Sequence, residues 1–298
     1  MTRHLIHIGF PKAGSTFLQH WFEAHPQIAY AKGGIAGIEG AYEIVDAALS
    51  PASPQREAAQ PWRVTSAEAL TAPLATPAAG TRGDEARGPA SSAEAQARVC
   101  ALLASLFSDA TILIVTRGFR SMILSSYSQY VRAGGTLSLA DMVGAALHYQ
   151  PWDYDEVIRL YEEAFGADNV IVLPYELLAD DPASFLSHLE RRMNLDPAPV
   201  SLGAVNASLS PDELAWYPRL GRLAARLPLA RRLAVRLAAR AASSNRLGRA
   251  IRVLQKLHPL PPVSAASLDE DLIRGFSGRA ERLRGRPLYA DCSDAYLL

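Results

Sequence analysis

The run Leu5-Ile6-His7-Ile8-Gly9-Phe10-Pro11-Lys12-Ala13-Gly14-Ser15-Thr16-Phe17-Leu18 limits what the chain can fold into more than any other stretch. Its apolar start is short enough for a buried strand and breaks at Gly9 and Pro11. A helix is expected from Ser15 or Thr16, because Phe17, Leu18, Trp21 and Phe22 share one helical face before Pro26 ends it. A loop running from a strand into a helix N-terminus offers unpaired backbone N–H groups at the positive end of the helix dipole. Such a site takes an anion, most naturally a phosphate. Gly14 lets the backbone approach it, Ser15 and Thr16 add hydroxyls, and Lys12 adds a mobile point charge, so Lys12 is the first catalytic candidate. The competing reading is an ordinary strand-to-helix turn with an exposed lysine.

A second anion half-site lies further on. Thr111-Ile112-Leu113-Ile114-Val115 is continuously apolar, as a parallel strand buried on both faces should be. Arg117 follows its C-terminal end, where ligands of open α/β sheets bind. Ser121 is expected to cap a helix whose second turn holds Ser125. Arg117, through its planar fork, and Ser125, through its hydroxyl, can converge on one phosphate.

The order Pro11-Lys12-x-Gly14-Ser15-Thr16 is not that of a nucleoside-triphosphate loop, where Lys follows the second Gly. It resembles the 5'-phosphosulfate loop of sulfotransferases that use 3'-phosphoadenosine 5'-phosphosulfate (PAPS). The Arg117-x7-Ser125 spacing is similar to the 3'-phosphate signature of that family. Arg117-Gly118-Phe119-Arg120-Ser121 lacks the Pro and Asp of the common form, a departure that bears on loop shape. Phe165-Gly166-x-Asp168-Asn169-Val170, Tyr175-Glu176-x-Leu178 and Asp181-Pro182 also look like the family, which implies that Tyr175 flanks the adenine and Glu176 is a structural anchor. Asn206-Ala207-Ser208-Leu209-Ser210-Pro211 resembles a late family loop that closes over the nucleotide, implying cofactor contacts from Asn206 and Ser208; a Ser-Pro helix start is the other explanation. Trp62 to Leu70 reads as a short strand ending in Ser66, followed by a helix start. Its likeness to the Ser-x-Glu segment of bacterial and carbohydrate-type members implies Glu68 as catalytic base, beside the plainer reading of a Glu that complements a helix dipole.

The resemblance covers roughly residues 4 to 210 and implies a P-loop-like α/β fold. A mostly parallel sheet, with strands near residues 5, 63, 111 and 169, is flanked by helices. Residues 1–210 are expected to form the core and 211–298 an Arg-rich helical lobe packed on it. The implied reaction moves a sulfuryl group from PAPS to an acceptor hydroxyl by in-line displacement, leaving 3'-phosphoadenosine 5'-phosphate (PAP) and requiring no metal. Residues Ala13, Gly14, Ser15, Thr16 and Phe17 would hold the 5'-phosphosulfate, and Arg117 and Ser125 the 3'-phosphate. Glu68 would take the acceptor proton, Lys12 would stabilise the leaving oxygen, and Ser125 would hold Lys12 back until acceptor binds.

Composition removes other classes. Thirty basic residues balance thirty acidic ones, and 49% of the chain is hydrophobic, which speaks against bulk-charge nucleic-acid binding and against disorder. Cys100 and Cys292 are the only cysteines, too few for a disulfide framework or a cysteine-based zinc site. No leader-like segment precedes the first strand, and no apolar run approaches the ~20 residues of a membrane helix, so a soluble cytoplasmic protein is expected.

Arg219 to Lys256 carries eleven basic residues and no Asp or Glu, broken near Pro228 and Ser243 to Asn245. It reads as a solvated basic face, or as a surface for an anionic acceptor or membrane. Asp269, Glu270, Asp271, Asp291 and Asp294 follow and are available to pair with these arginines. His148, Tyr149, Trp152 and Tyr154 form either an acceptor pocket for a saccharide or small molecule, or a packing surface. Ala41 to Leu49 suits a helix, and Thr71 to Ala93 a surface loop. Two rivals stand beside the transferase: a small-molecule kinase, which would want Walker spacing and a strand-end Asp, and a non-catalytic anion- or membrane-binding module.

Overall fold

The computed structural model describes residues 3–30, 60–67, 70–71, 92–198, 208–225 and 245–298. In chain order the elements are β1 Arg3–His7, α1 Ser15–Ala24, β2 Ile28–Tyr30, β3 Trp62–Ser66, α2 Ser92–Leu106, β4 Thr111–Thr116, α3 Phe119–Arg132, α4 Leu139–Tyr149 and α5 Tyr154–Phe165. There follow β5 Val170–Pro174, α6 Tyr175–Asp180, α7 Pro182–Met193, α8 Pro211–Ala225, α9 Asn245–Leu257 and α10 Glu270–Arg274, with short 3-10 turns that include Pro287–Tyr296. The chain forms two units. The first is Met1–Gly118 with Tyr149–Val205 and Ser277–Leu298, and the second is Phe119–His148 with Asn206–Phe276.

The first unit is built on a five-stranded sheet in the order β2-β3-β1-β4-β5, with every pairing parallel. Parallel strands carry helices on their faces and bury both sides, and the residues agree. Leu5, Ile6, Ile112, Leu113, Ile114 and Val115 are at most 1% exposed, and all of β5 is buried. Helix α5 is strongly amphipathic; Asp153 caps its start by accepting the Glu156 N–H, and Gly166 ends it at φ 85°. Helix α2 lies against it, with the Cys100 thiol donating to the Leu160 carbonyl at 3.4 Å.

Strand order places the ligand side of this sheet. β1 is central, and its outgoing connection runs to β2 on one side, whereas that of β4 runs to β5 on the other. Adjacent strands whose connections depart in opposite directions leave a crevice at their carboxyl ends. The loops after β1 and β4 border that crevice, and the Ile8 N–H bond to Leu113 O extends the strand pairing to the lip.

Ser277–Leu298 belongs with the sheet because Tyr289 and Tyr296 bury their rings there, at 1% exposure each. The second unit holds α3, α4, α8, α9 and α10. Within it Phe119 stacks on Phe276 at 5.3 Å, Ser128 Oγ accepts the Leu209 N–H at 3.0 Å, and Trp216 Nε1 donates to Gln255 Oε1 at 2.7 Å. Residues 226–244, the middle of the Arg-rich stretch, lie outside the described residues, as does the helix expected over Ala41 to Leu49. Among the described residues Glu270, Asp271 and Glu281 pair with Arg120, Arg274 and Arg284.

Candidate active site

The loop after β1 is a tight turn closed by the Ala13 N–H bond to Phe10 O at 3.1 Å, and Ile8, Phe10 and Ala13 are fully buried. Two residues take left-handed backbone: Lys12 at φ 71° and Gly14 at φ 85°. Glycine does so freely; a lysine there is strained by about 1–3 kcal/mol and needs its surroundings to hold it. The neighbour that does so is Arg117, whose Nη1 donates to the Lys12 carbonyl at 2.6 Å. Gly14 is the N-cap of α1, no side chain caps it, and no acidic residue occupies the first turn. A helix start of this kind leaves its first N–H groups and dipole available to an anion.

Arg117 and Tyr175 meet face on, the guanidinium carbon standing 4.2 Å from the ring centroid. Gly14 packs against the same element: a Cβ there would lie 2.4 Å from Leu178 Cδ2 and 3.3 Å from Tyr175 Cδ2. Lys12, Gly14, Arg117 and Tyr175, read from three separate stretches of sequence, are thus brought together. Ser15 is buried at 2%, Thr16 is exposed and Phe17 half-buried.

A polar network holds the β4 end in place. Glu176 Oε1 accepts the Gly118 N–H at 2.9 Å, and its Oε2 accepts the Tyr296 hydroxyl at 2.6 Å. Thr116 donates to Tyr296 at 3.1 Å, so the 2.8 Å contact of Thr116 with Tyr289 has the tyrosine as donor. Tyr154 donates to the Arg117 carbonyl at 2.5 Å. Burial pushes the hydroxyls of Tyr154, Tyr289 and Tyr296 above the usual tyrosine range, which keeps them protonated donors. Helix α3 begins at Phe119, so Ser121 lies within its first turn rather than at the cap expected there.

Under the loop lies a group that motif reading passed over. His7 is wholly buried, its Nδ1 is 2.8 Å from Ser66 Oγ, and burial holds its pKa down to about 3. Gln19 Nε2 donates to the same Ser66 oxygen at 3.4 Å. Thr71 donates to the Gly9 carbonyl at 3.1 Å, and Gln96 Nε2 donates to the Thr71 carbonyl at 2.5 Å. The signal was visible: a histidine inside an otherwise apolar strand must find hydrogen-bond partners.

The other expected site residues are placed differently. Ser125 sits on α3 in the second unit at 6% exposure, and Ser208 is exposed in that unit. Glu68 and Asn206 lie outside the described residues. The aromatic cluster divides: Trp152 and Tyr154 are core residues, Tyr154 tied to Arg117, whereas His148 and Tyr149 are exposed. Among the described residues no group of three or more His, Cys, Asp or Glu is placed to hold a metal ion, and no helix is long and apolar enough to cross a membrane.

Nothing among curated proteins matches the chain. Of solved structures it is similar to a sulfotransferase from Alicyclobacillus acidocaldarius, at 15% identity and TM-score 0.48, over 79% of this chain and 99% of that one. It is also similar to the mouse sulfotransferase SULT7A1 complexed with PAP, at 14% identity and TM-score 0.40, over 74% of this chain and 64% of that one. The family model described as "Sulfotransferase family" matches residues 5–199, a span that takes in the phosphate loop, the β4 end and Tyr175. The chain belongs to the sulfotransferase family.

Proposed function

We propose that the protein transfers a sulfuryl group from PAPS to the hydroxyl of a small-molecule or saccharide acceptor. The observation that carries this reading is the uncapped start of α1 joined to Arg117 through the Lys12 carbonyl. Two anion-seeking features stand side by side there, as a nucleotide with phosphates on both its 5' and 3' positions demands. Ser15 Oγ, buried and without a partner among the described residues, adds a polar atom suited to such a ligand. PAPS supplies the activated sulfuryl group on a phosphate leaving group; the chain supplies binding, orientation and charge. Backbone N–H groups of residues 13–17 hold the 5' end, and the strained Lys12 places its ammonium beside them to meet charge developing on the bridging oxygen. Arg117 holds the 3'-phosphate, and its contact with Tyr175 sets the plane on which the adenine lies. The family resemblance adds Ser125 for the 3'-phosphate, Asn206 and Ser208 for the nucleotide, and Glu68 as the base that receives the acceptor proton. We place the protein in the cytoplasm.

The test is a pair of affinities. Wild-type protein should prefer PAP over 5'-AMP, and Arg117→Ala should cut that preference by about tenfold, the worth of one charge-assisted contact. An unchanged preference in Arg117→Ala would remove Arg117 from the 3'-phosphate site.

A further inference from the structure

His7 ends β1 and its ring stands between Ser66 and the phosphate loop. Its Nδ1 faces Ser66 Oγ, but its Nε2 has no partner among the described residues, and neither has Ser15 Oγ at the start of α1. Both side chains are at least nine-tenths buried. The two atoms face one point: a Cβ built on Gly9 would lie 2.3 Å from His7 Nε2 and 3.1 Å from Ser15 Oγ. Glycine at this position keeps open a gap that both atoms border.

The direction of the bonds follows from donor counts. Ser66 Oγ accepts from Gln19 Nε2 and has its own hydrogen to place; the buried acceptor within reach is His7 Nδ1. With Nδ1 accepting, the single proton of a neutral imidazole resides on Nε2, directed into the gap beside Ser15. The series is then Gln19 N–H to Ser66, Ser66 O–H to His7, and His7 N–H towards Ser15.

We propose that His7 is a positioning residue of the anion site: when the nucleotide binds, Ser15 Oγ takes the His7 Nε2–H, a bond the two atoms do not make in this structure, so that the Ser15 hydroxyl hydrogen points outward to the 5'-phosphate. A serine hydroxyl has one hydrogen, and once a lone pair is engaged from behind, that hydrogen is aimed forward and its bond is strengthened by the series behind it. The inference rests on the nucleotide reading above. It goes beyond it by giving a role to a side chain that never touches the ligand.

Glutamine sets an amide near the position of Nε2, whereas asparagine sets one near Nδ1, and the two separate positioning from packing. Affinities for PAP and 5'-AMP are measured by calorimetry for wild type, His7→Gln, His7→Asn, Ser15→Ala and the double variant His7→Asn/Ser15→Ala. His7→Asn should weaken both ligands about tenfold, His7→Gln should stay within about threefold of wild type, and His7→Asn should add nothing once Ser15 is alanine. A long-range nitrogen–proton correlation spectrum of wild-type protein, which needs no variant to fold, should show His7 protonated at Nε2. An Nδ1–H imidazole, equal losses in the Asn and Gln variants, or an undiminished His7→Asn loss in the Ser15→Ala background would each overturn this assignment while leaving nucleotide binding intact. A wild-type protein that binds neither PAP nor 5'-AMP would overturn the nucleotide reading and this inference with it.

Discussion

Gly14→Ala examines the tightness of the phosphate loop in isolation from any ligand. Two costs add. Gly14 sits at φ 85°, and placing a Cβ in left-handed backbone costs about 1–2 kcal/mol. The Cβ would also lie 2.4 Å from Leu178 Cδ2, a side chain only 5% exposed, and overpacking of this sort adds about 1–3 kcal/mol. Gly278 separates the two costs. It belongs to the same unit, at φ 79°, and has nothing within 4 Å of its added Cβ, so Gly278→Ala carries the backbone cost alone. Urea denaturation of both variants, compared by linear extrapolation, should place Gly14→Ala lower in stability than Gly278→Ala by about 1–3 kcal/mol. Because Leu178 and Tyr175 must shift to admit the methyl, Gly14→Ala should also weaken PAP binding, and Gly278→Ala should not. Equal losses for the two variants, within about 0.5 kcal/mol, would refute the packing of α6 against the loop.

Other expectations rest on the buried polar groups. Burial lowers the pKa of His4 to about 4, with Arg63 adding to the effect, and that of His7 to about 3, so the unfolded chain binds more protons than the folded one between those values and about 6.5. Stability is therefore full above that window and falls as pH drops through it, by up to about 1.4 kcal/mol per pH unit for each histidine; denaturation titrations at stepped pH should show a shallower slope in His4→Asn. Tyr296→Phe removes the donor to the Glu176 carboxylate and the acceptor for Thr116, which should cost about 2 kcal/mol by urea denaturation and is contradicted by a loss near zero.

Most of the sheet was legible because β4 and β5 are near-continuous apolar runs, and because β1 and β3 each precede a recognisable break, at Gly9 and after Ser66. The three-residue β2 was missed: Ile28–Tyr30 is too short to show a period. The tie between Lys12 and Arg117 was hidden for another reason, since one partner is a backbone carbonyl, which no side-chain motif records. The role of Tyr289 and Tyr296 was equally hidden, because an irregular 3-10 segment carries no helical or strand pattern that says which ring turns inward. His7 was in plain view within the loop motif, yet its spacing matched nothing, because its partner Ser66 lies on β3, far off in sequence.

The central claim is that the crevice after β1 and β4 holds an adenosine nucleotide phosphorylated at its 3' position. Calorimetric titration of the wild-type protein with PAP, set against ATP with magnesium, tests it most directly. The account predicts micromolar PAP binding that exceeds ATP binding by at least about tenfold. Equal or tighter binding of ATP, or no nucleotide binding by the folded protein, would contradict it.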